Sequence, residues 1–515
     1  MPAPPLQSAK IDRRTAILGA ISASALRPAS TRAAEGGFGF EDVAAMAAAR
    51  AAERYERREQ ALAGPFADLD YDRYRKIRGL PEARLWRGAG AGFSIDFTPP
   101  GMIYRDRVAL HVVSGGTARR IRFRSELFAV SGAEAPLPSP GPEAEAGMDF
   151  SGFRILFPLN RPDKEDEIAV FQGASYFRAL GRGHVYGLSA RGLALGPASE
   201  EGEEFPAFTD FWLHEPAPNA ADLLVHALLD GPSLAAAFEF RIRPGAETVM
   251  ETRAAFFPRR RVETAGIAPL TSMYLFGPKD RRGMDDFREA AHDSDGLQMI
   301  TGAGERLWRP LANPGRLRLS AFADQAPKGF GLVQRARAFA DFEDAEARYE
   351  KRPSCWVEPV GDWGRGAVNL IEIPTPTELN DNIVAFWRPE APLEPGERRD
   401  FAWRLLWCDT PPDRAGLGRV VATREGRAVN DERLRHVVVD FAFDAPPGEG
   451  VEVAAQTDAG AIEHVALFPL PGEARLRVAL DFLPPGDGEA ELRLALVGPA
   501  GDAVSETWLH RWSAP

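Results

Sequence analysis

A dense polar cluster stands directly before an apolar run in the stretch TELNDNIVAFWRPE, which begins at residue 377. It consists of Glu378, Asn380, Asp381 and Asn382, and the apolar run covers residues 383–387. A turn would account for the asparagines, but not for a carboxylate held between two amides. Beside an apolar strand, Asp381 would be partly desolvated, which suits a proton donor. We expect Asn380 and Asn382 to fix its orientation.

A second carboxylate, Asp293 in AHDSDGL, is the best partner for Asp381. Glycoside hydrolysis usually needs two carboxyl groups, one protonated and one ionised. A short helix is predicted over residues 284–291, and Asp293 in the polar loop after it would stay ionised. The alternative is that Asp293 is a loop residue at a helix end and that Asp295 forms an Asx-turn. The two aspartates are distant in sequence, so only the fold can bring them together.

Aromatic residues alternate with polar ones between residues 274 and 387, as in carbohydrate sites. Aromatic faces stack on sugar C–H surfaces, and carboxylate, amide and guanidinium groups match sugar hydroxyls. The aromatic candidates are Tyr274, Tyr349, Trp356, Trp363 and Trp387. The alternative is that they are core residues, because aromatics at strand spacing are more often buried.

The elements that must position these residues are mostly short strands. A helix is predicted over residues 40–62, where alanines and charges dominate. The whole chain contains 49 glycines and 43 prolines. Beyond the helix they divide alternating or β-branched segments, which is typical of an all-β antiparallel sandwich. We expect a large sandwich over residues 35–408, a Pro/Gly linker over residues 409–420, and a small immunoglobulin-like sandwich of six or seven strands over residues 421–515.

The N-terminal residues 1–34 have the layout of an export signal of the twin-Arg type. Arg13 and Arg14 precede a short apolar stretch and then small residues. The apolar stretch is too short to remain in a bilayer, and we expect a periplasmic product. The alternative is a disordered basic tail.

The net charge, the histidines and the cysteines bear on three questions: a nucleic-acid partner, a metal site and a disulfide. The formal net charge of −12 argues against a nucleic-acid partner. The eight histidines show no ligand spacing, so no metal site and no cofactor is expected. Cys355 and Cys408 are expected to be buried free thiols rather than a disulfide.

Several long motifs resemble the periplasmic glucan biosynthesis proteins of the OpgG/OpgD (MdoG/MdoD) family. They include FSGFRILFPLNRPDKEDEIAVFQGASYFRAL, TSMYLFGP, HDSDGL, DQAPKGFGLVQR and GDWGRGAVNLIEIPTPTELNDNIVAFWRPE. The twin-Arg signal is more like the OpgD branch. The resemblance implies a galactose-mutarotase-like β-sandwich followed by an immunoglobulin-like domain. It also implies a role in making osmoregulated periplasmic glucans with a β-1,2-linked glucose backbone, and a similarity to the inverting enzymes of glycoside hydrolase family 186.

The resemblance implies roles for individual residues. The family's general acid falls on Asp381 and its base on Asp293, and Glu378 and Tyr349 match positions that line the sugar cleft. Further candidates for substrate binding are Tyr274, Lys328, Arg335, Trp356, Trp363 and Arg365.

Two functions are consistent with these observations. The first is an enzyme that cleaves or rearranges β-1,2-glucan, as an endo-glucanase or a transglycosylase. The second is a non-catalytic glucan-binding factor that docks on the inner-membrane glucan synthase. The intact HDSDGL and LNDNI motifs favour the enzyme. An exposed sandwich edge could also support a homodimer.

Overall fold

The chain begins its described part with a helix that packs on a sheet. The computed structural model describes residues 37–513 except 89, 91, 133, 134, 200, 413–415, 472, 473 and 487, so the expected export signal lies outside the described residues. Helix α1, Phe40–Ala52, buries Phe40, Val43, Ala44 and Ala47. The prediction of a helix to residue 62 was too long, because the charged residues that follow have no apolar face to bury.

Two further α-helices and five 3₁₀ turns are short. The helices are α2, Tyr71–Tyr74, and α3, Pro142–Ala146. The 3₁₀ turns are Gly64–Phe66, Pro81–Ala83, Ser125–Leu127, Phe339–Asp341 and Tyr349–Lys351.

Strands are the main regular structure of the described chain. The first fourteen are β1 Ile77–Gly79, β2 Ser94–Thr98, β3 Ala109–Ser114, β4 Thr117–Ile121, β5 Phe128–Val130, β6 Gly152–Arg161, β7 Lys164–Gln172, β8 Tyr176–Ala179, β9 Ser189–Arg191, β10 Ala194–Leu195, β11 Ala207–His214, β12 Leu223–Asp230, β13 Leu234–Arg243 and β14 Thr248–Pro258. The next eleven are β15 Ala265–Ser272, β16 Tyr274–Phe276, β17 Ala291–His292, β18 Gly296–Ile300, β19 Arg306–Pro310, β20 Arg318–Gln325, β21 Gly329–Val333, β22 Ser354–Val360, β23 Arg365–Glu372, β24 Ile383–Pro389 and β25 Arg399–Cys408. The last seven are β26 Arg419–Arg427, β27 Arg435–Ala442, β28 Glu452–Thr457, β29 Ala461–Pro469, β30 Arg475–Leu483, β31 Glu489–Val497 and β32 Thr507–Ser513.

Two large sheets pack face to face. One has the strand order β2-β6-β7-β8-β9-β15-β24-β23-β20, with β10 paired to β15. The other has the order β28-β31-β32-β19-β18-β21-β22-β25-β14-β13-β12-β11-β3-β4. Between them lies an aromatic core, in which Phe171 and Phe177 of the first sheet pack edge-on to Phe240 of the second. The prediction of an all-β sandwich is therefore confirmed.

The last hundred residues contribute a second core. A four-stranded sheet, β26-β27-β30-β29, faces strands β28, β31 and β32 of the large sheet. The buried residues of this second core include Trp308 and Val333 from the earlier part of the chain. Strand β32 also pairs in parallel with β19, so the large sheet runs through both parts. The immunoglobulin-like kind of this part and the proposed domain boundaries stay predictions.

Cys355 and Cys408 are both buried and free, as expected from the sequence. They lie on the paired strands β22 and β25, where Cys355 is opposite Trp407 and Cys408 is opposite Ser354. Because consecutive side chains alternate between the two faces of a sheet, the two thiols point to opposite sides.

Candidate active site

The backbone of residues 272–274 joins the two candidate carboxylates. Just before β24, the backbone N–H of Asn382 donates to the carbonyl of Ser272 at 3.0 Å. The backbone N–H of Asp293 donates to the carbonyl of Met273 at 2.8 Å. Asp381 and Asp293 are therefore both placed around one short segment where β15 ends and β16 begins. Burial raises the pKa of Asp293, and the Asp381 charge adds to this rise.

Asp293 is buried, whereas the sequence predicted a residue of a polar loop that would stay ionised. Its side chain is only 5% exposed, and its Oδ1 accepts a hydrogen bond from Nη1 of Arg352. Burial raises the pKa of Asp293, and the Arg352 charge opposes this effect. The loop at Gly187 packs so tightly against Arg352 that a Cβ there would lie 2.8 Å from the Arg352 Cβ. Asp293 is thus a buried carboxylate with a fixed cationic partner.

The helix predicted over residues 284–291 is wrong. The segment runs in an irregular path and ends in β17. The side chain and backbone N–H of Arg288 both bond the Asp286 carboxylate, two residues earlier. These local bonds and the further contacts of Arg288 hold a conformation that helical backbone bonds do not offer.

Asp381 is the more accessible of the two aspartates. Its side chain is 29% exposed, and its Oδ2 lies 3.9 Å from Nη2 of Arg178 on β8. The expectation that both asparagines orient it is wrong. The amide of Asn382 accepts from the Tyr274 N–H at 2.8 Å and donates to the Tyr274 carbonyl at 3.0 Å, while Asn380 is exposed. Asn382 therefore fixes the backbone next to Asp381 rather than its carboxyl group.

Arg288 binds three carboxylates from three segments. Its guanidinium lies 2.6 Å from Glu378, 2.8 Å from Asp286 and 3.1 Å from Asp344. Its own side chain is only 10% exposed. Since Glu378 is three residues before Asp381, this contact ties the tip of the loop that carries Asp381 to the rest of the site.

Tyr349 lies among these arginines. The guanidinium carbon of Arg352 is 4.1 Å from the centre of its ring, and that of Arg288 is 5.9 Å away. Burial raises the pKa of Tyr349, and the charges of Glu378 and Asp293 act in the same direction. The structure thus brings Asp293, Asp381, Glu378 and Tyr349 into one cluster.

All five aromatic candidates are buried, including Tyr349, which is 1% exposed, and Trp387, which is 0% exposed. Tyr274 stacks on His292 with ring centres 5.3 Å apart, and its hydroxyl donates to Asp280 at 3.0 Å. The backbone of Tyr274 supports the cluster through its two hydrogen bonds with the side-chain amide of Asn382. Trp356 and Trp363 are 1% and 2% exposed, and both lie in the hydrophobic cores, where strand-spaced aromatics usually are.

Lys328 and Arg365 each lie at one end of a strand whose other end is near one of the two aspartates. Lys328 is beside Ile300, at the end of β18 opposite Asp293, and β18 is about 14 Å long. Arg365 begins β23, whose other end approaches Asp381, and it is exposed in an ion pair with Glu390. Neither residue belongs to the cluster.

Arg335 joins the first sandwich to the last part of the chain. Nη2 donates to Glu506 at 2.9 Å and to Gln298 at 3.1 Å, and Nη1 donates to the Val420 carbonyl at 2.6 Å. Its guanidinium carbon lies 3.5 Å above the ring of Trp308. These contacts occupy the side chain, which therefore has a structural position rather than a place in the sugar cleft.

The arginines of the site were missed by the analysis of the sequence. Arg178, Arg288 and Arg352 all contact the carboxylates described above. The signal that could have found them is simple, because buried carboxylates need cationic or hydrogen-bonding partners. Among the described residues, no three His, Cys, Asp or Glu side chains are grouped so that they could hold a metal ion.

A comparison with protein families decides the affiliation of the chain. The model of "Periplasmic glucan biosynthesis protein, MdoG" matches residues 38–512. The chain belongs to this family. It is 44% identical over 511 residues to "Glucans biosynthesis protein G" of Rhodopseudomonas palustris (strain BisA53), which covers 97% of this chain and 99% of that protein. It is 43% identical over 481 residues to the protein of the same name from Vibrio cholerae, covering 93% and 87% of the two chains.

Membership in the MdoG family gives the chain its general role, which is periplasmic glucan biosynthesis. Similar coverage is found with "Glucans biosynthesis protein G" of Bradyrhizobium diazoefficiens, at 41% identity. These names do not confirm the preference for the OpgD branch. In the described part of the chain, no helix is long and apolar enough to cross a membrane.

Proposed function

We propose that the chain is a glycoside hydrolase or transglycosylase that acts on the β-1,2-linked backbone of periplasmic glucan. The observation that carries this proposal is the placement of Asp381 and Asp293 around one backbone segment, in two different environments. Two carboxyl groups with separate environments are what glycoside hydrolysis requires.

Each aspartate suits one role. Asp381 is accessible, so it can reach the oxygen of the glycosidic bond and donate its proton there. Burial raises the pKa of Asp293, and the hydrogen bond that it accepts from the guanidinium of Arg352 opposes this rise, which supports a role as the base. Water attacks the anomeric carbon as the bond to the leaving oxygen breaks. Asp293 takes the proton of that water, directly or through further waters, and the configuration inverts.

Transfer uses the same acid. If a sugar hydroxyl occupies the position of the attacking water, the cleaved chain is joined to that sugar and no new reducing end is formed. The choice between water and sugar depends on the acceptor side of the cleft.

Product analysis tests the proposal. The purified chain is incubated with linear β-1,2-glucan, and the products are separated by size and assayed for reducing ends. Shorter chains with new reducing ends establish hydrolysis, and altered sizes without new reducing ends establish transfer or cyclisation. Glucan that is bound but unchanged contradicts the proposal and favours a binding factor. Docking on a membrane glucan synthase and a homodimer stay predictions.

A further inference from the structure

Two aromatic rings flank a buried arginine on the face of the first large sheet that points away from its core. Tyr176 on β8 and Arg191 on β9 are direct partners across the strands. The guanidinium carbon of Arg191 lies 4.6 Å from the ring centre of Tyr176 and 5.7 Å from that of Phe205. Phe205 is 54% exposed, although it is a large apolar side chain.

Arg191 is held rigidly. Its side chain is 5% exposed, Nη1 donates to Glu203 at 2.6 Å, and Nε donates to Thr271 at 2.8 Å. A buried ion pair is weak evidence for stability, because desolvation offsets the attraction of the charges. A cation fixed between two rings does, however, fix the positions of those rings. Tyr176 and Phe205 thus form a pre-organised aromatic surface, which we call the platform.

The platform lies beside the candidate acid. Tyr176 and Arg178 are two residues apart on β8, so their side chains share one face at a spacing of about 7 Å. Arg178 in turn lies 3.9 Å from Asp381. The Asp381 charge also contributes to the raised pKa of Tyr176, after the larger effect of burial.

We infer that the platform binds one glucose unit of the glucan chain, next to the linkage that Asp381 protonates. Aromatic rings accept the C–H face of a pyranose, and the carboxylate of Glu203 and the guanidinium of Arg178 match its hydroxyls. An exposed ring held in place in this way loses little entropy when a sugar binds. This inference rests on the proposed function and adds a subsite to it.

Binding measurements with an inactive chain test the platform. Asp381→Asn is titrated calorimetrically with linear β-1,2-gluco-oligosaccharides of increasing length, alone and combined with Phe205→Ala. We expect Phe205→Ala to lower the affinity about tenfold once the oligosaccharide is long enough to reach the platform, and to leave shorter ones unaffected. Phe205→Tyr should retain the affinity. The matched control is Phe468→Ala, since Phe468 is 50% exposed on β29, in the last part of the chain.

The outcomes separate the two levels of the proposal. If Asp381→Asn binds the oligosaccharides and Phe205→Ala changes the affinity at no length, the platform is overturned and the proposed function is not. An equal loss in Phe468→Ala overturns it as well. If no oligosaccharide binds to the Asp381→Asn chain, both the platform and the proposed function fail.

Discussion

The guanidinium of Arg352 opposes the effect of burial on the pKa of Asp293. Burial alone raises the pKa of Asp293, because a carboxylate loses hydration in the protein interior, and the Arg352 charge lowers it. A general base works only in its ionised form. The contact between these two residues therefore lowers the pH at which the base can still act.

Replacing Arg352 with glutamine should move the acidic limit of activity upwards. Without the opposing charge, the pKa of Asp293 rises further, and the base is protonated at a higher pH than in the wild type. We expect the acidic limb of the kcat/KM profile on β-1,2-glucan to shift by about one pH unit or more towards neutral pH. Arg348→Gln is the matched control, because Arg348 pairs with Glu350 and not with Asp293. An unshifted limb in Arg352→Gln would argue against Asp293 as the base.

The loop between β23 and β24 carries Asp381, and near its start Thr375 exchanges hydrogen bonds with the side-chain amide of Asn313. Asn382 fixes its end to the Tyr274 backbone, and the Arg288–Glu378 contact holds its tip. Leu379 at this tip is 87% exposed, so apolar packing contributes little. The contact with Arg288 is therefore the one that holds the tip next to Asp381.

Replacing Arg288 with glutamine should lower kcat more than it raises KM. Loss of the tie at Glu378 lets Asp381 move, and a displacement of about 1 Å can cost about a hundredfold in rate. Arg288→Lys should not restore the rate, since an ammonium group cannot bond three carboxylates in the fork geometry of arginine. Steady-state kinetics of both variants check this, with Arg404→Gln as control, because Arg404 on β25 pairs with Glu358 on the neighbouring strand β22 and not with Glu378. Wild-type kcat in Arg288→Gln would contradict the prediction.

The sequence predicted which segments form strands better than it predicted which residues pack around them. Alternation and turn residues indicate strands, and these were found. The helix over residues 284–291 was not, because the contacts of Arg288 with carboxylates far along the chain override local helix propensity. Similarly, strand periodicity cannot tell whether Trp356 faces a core or a cleft, since both faces of its sheet are covered here.

Over the whole molecule, a buried contact connects the site to the last part of the chain. The backbone N–H of Arg335 donates to the carboxylate of Asp295 at 3.0 Å, two residues after Asp293. The Arg335 side chain binds Glu506. Burial raises the pKa of Asp295 to about 6. The last sandwich thus supports the backbone that leads to the candidate base.

Replacing Glu506 with glutamine should destabilise the protein strongly. Arg335 and Glu506 are 14% and 2% exposed, so the change leaves the largely buried Arg335 charge without its carboxylate partner. Removal of one partner of such a pair costs about 3–5 kcal/mol of unfolding free energy. Urea unfolding measures it, with Glu41→Gln as control, because the Glu41–Arg398 pair is exposed and should contribute far less. Equal stabilities of the two variants would contradict this account of the contact.

The most direct test of the central claim compares Asp381→Asn and Asp293→Asn with the wild type on linear β-1,2-glucan. The rate of product formation is measured together with the affinity for the glucan. We expect the wild type to alter the glucan, and each variant to lose about a hundredfold to ten-thousandfold in rate while still binding it. A wild-type rate in Asp381→Asn, or a wild type that binds glucan without altering it, would contradict the account.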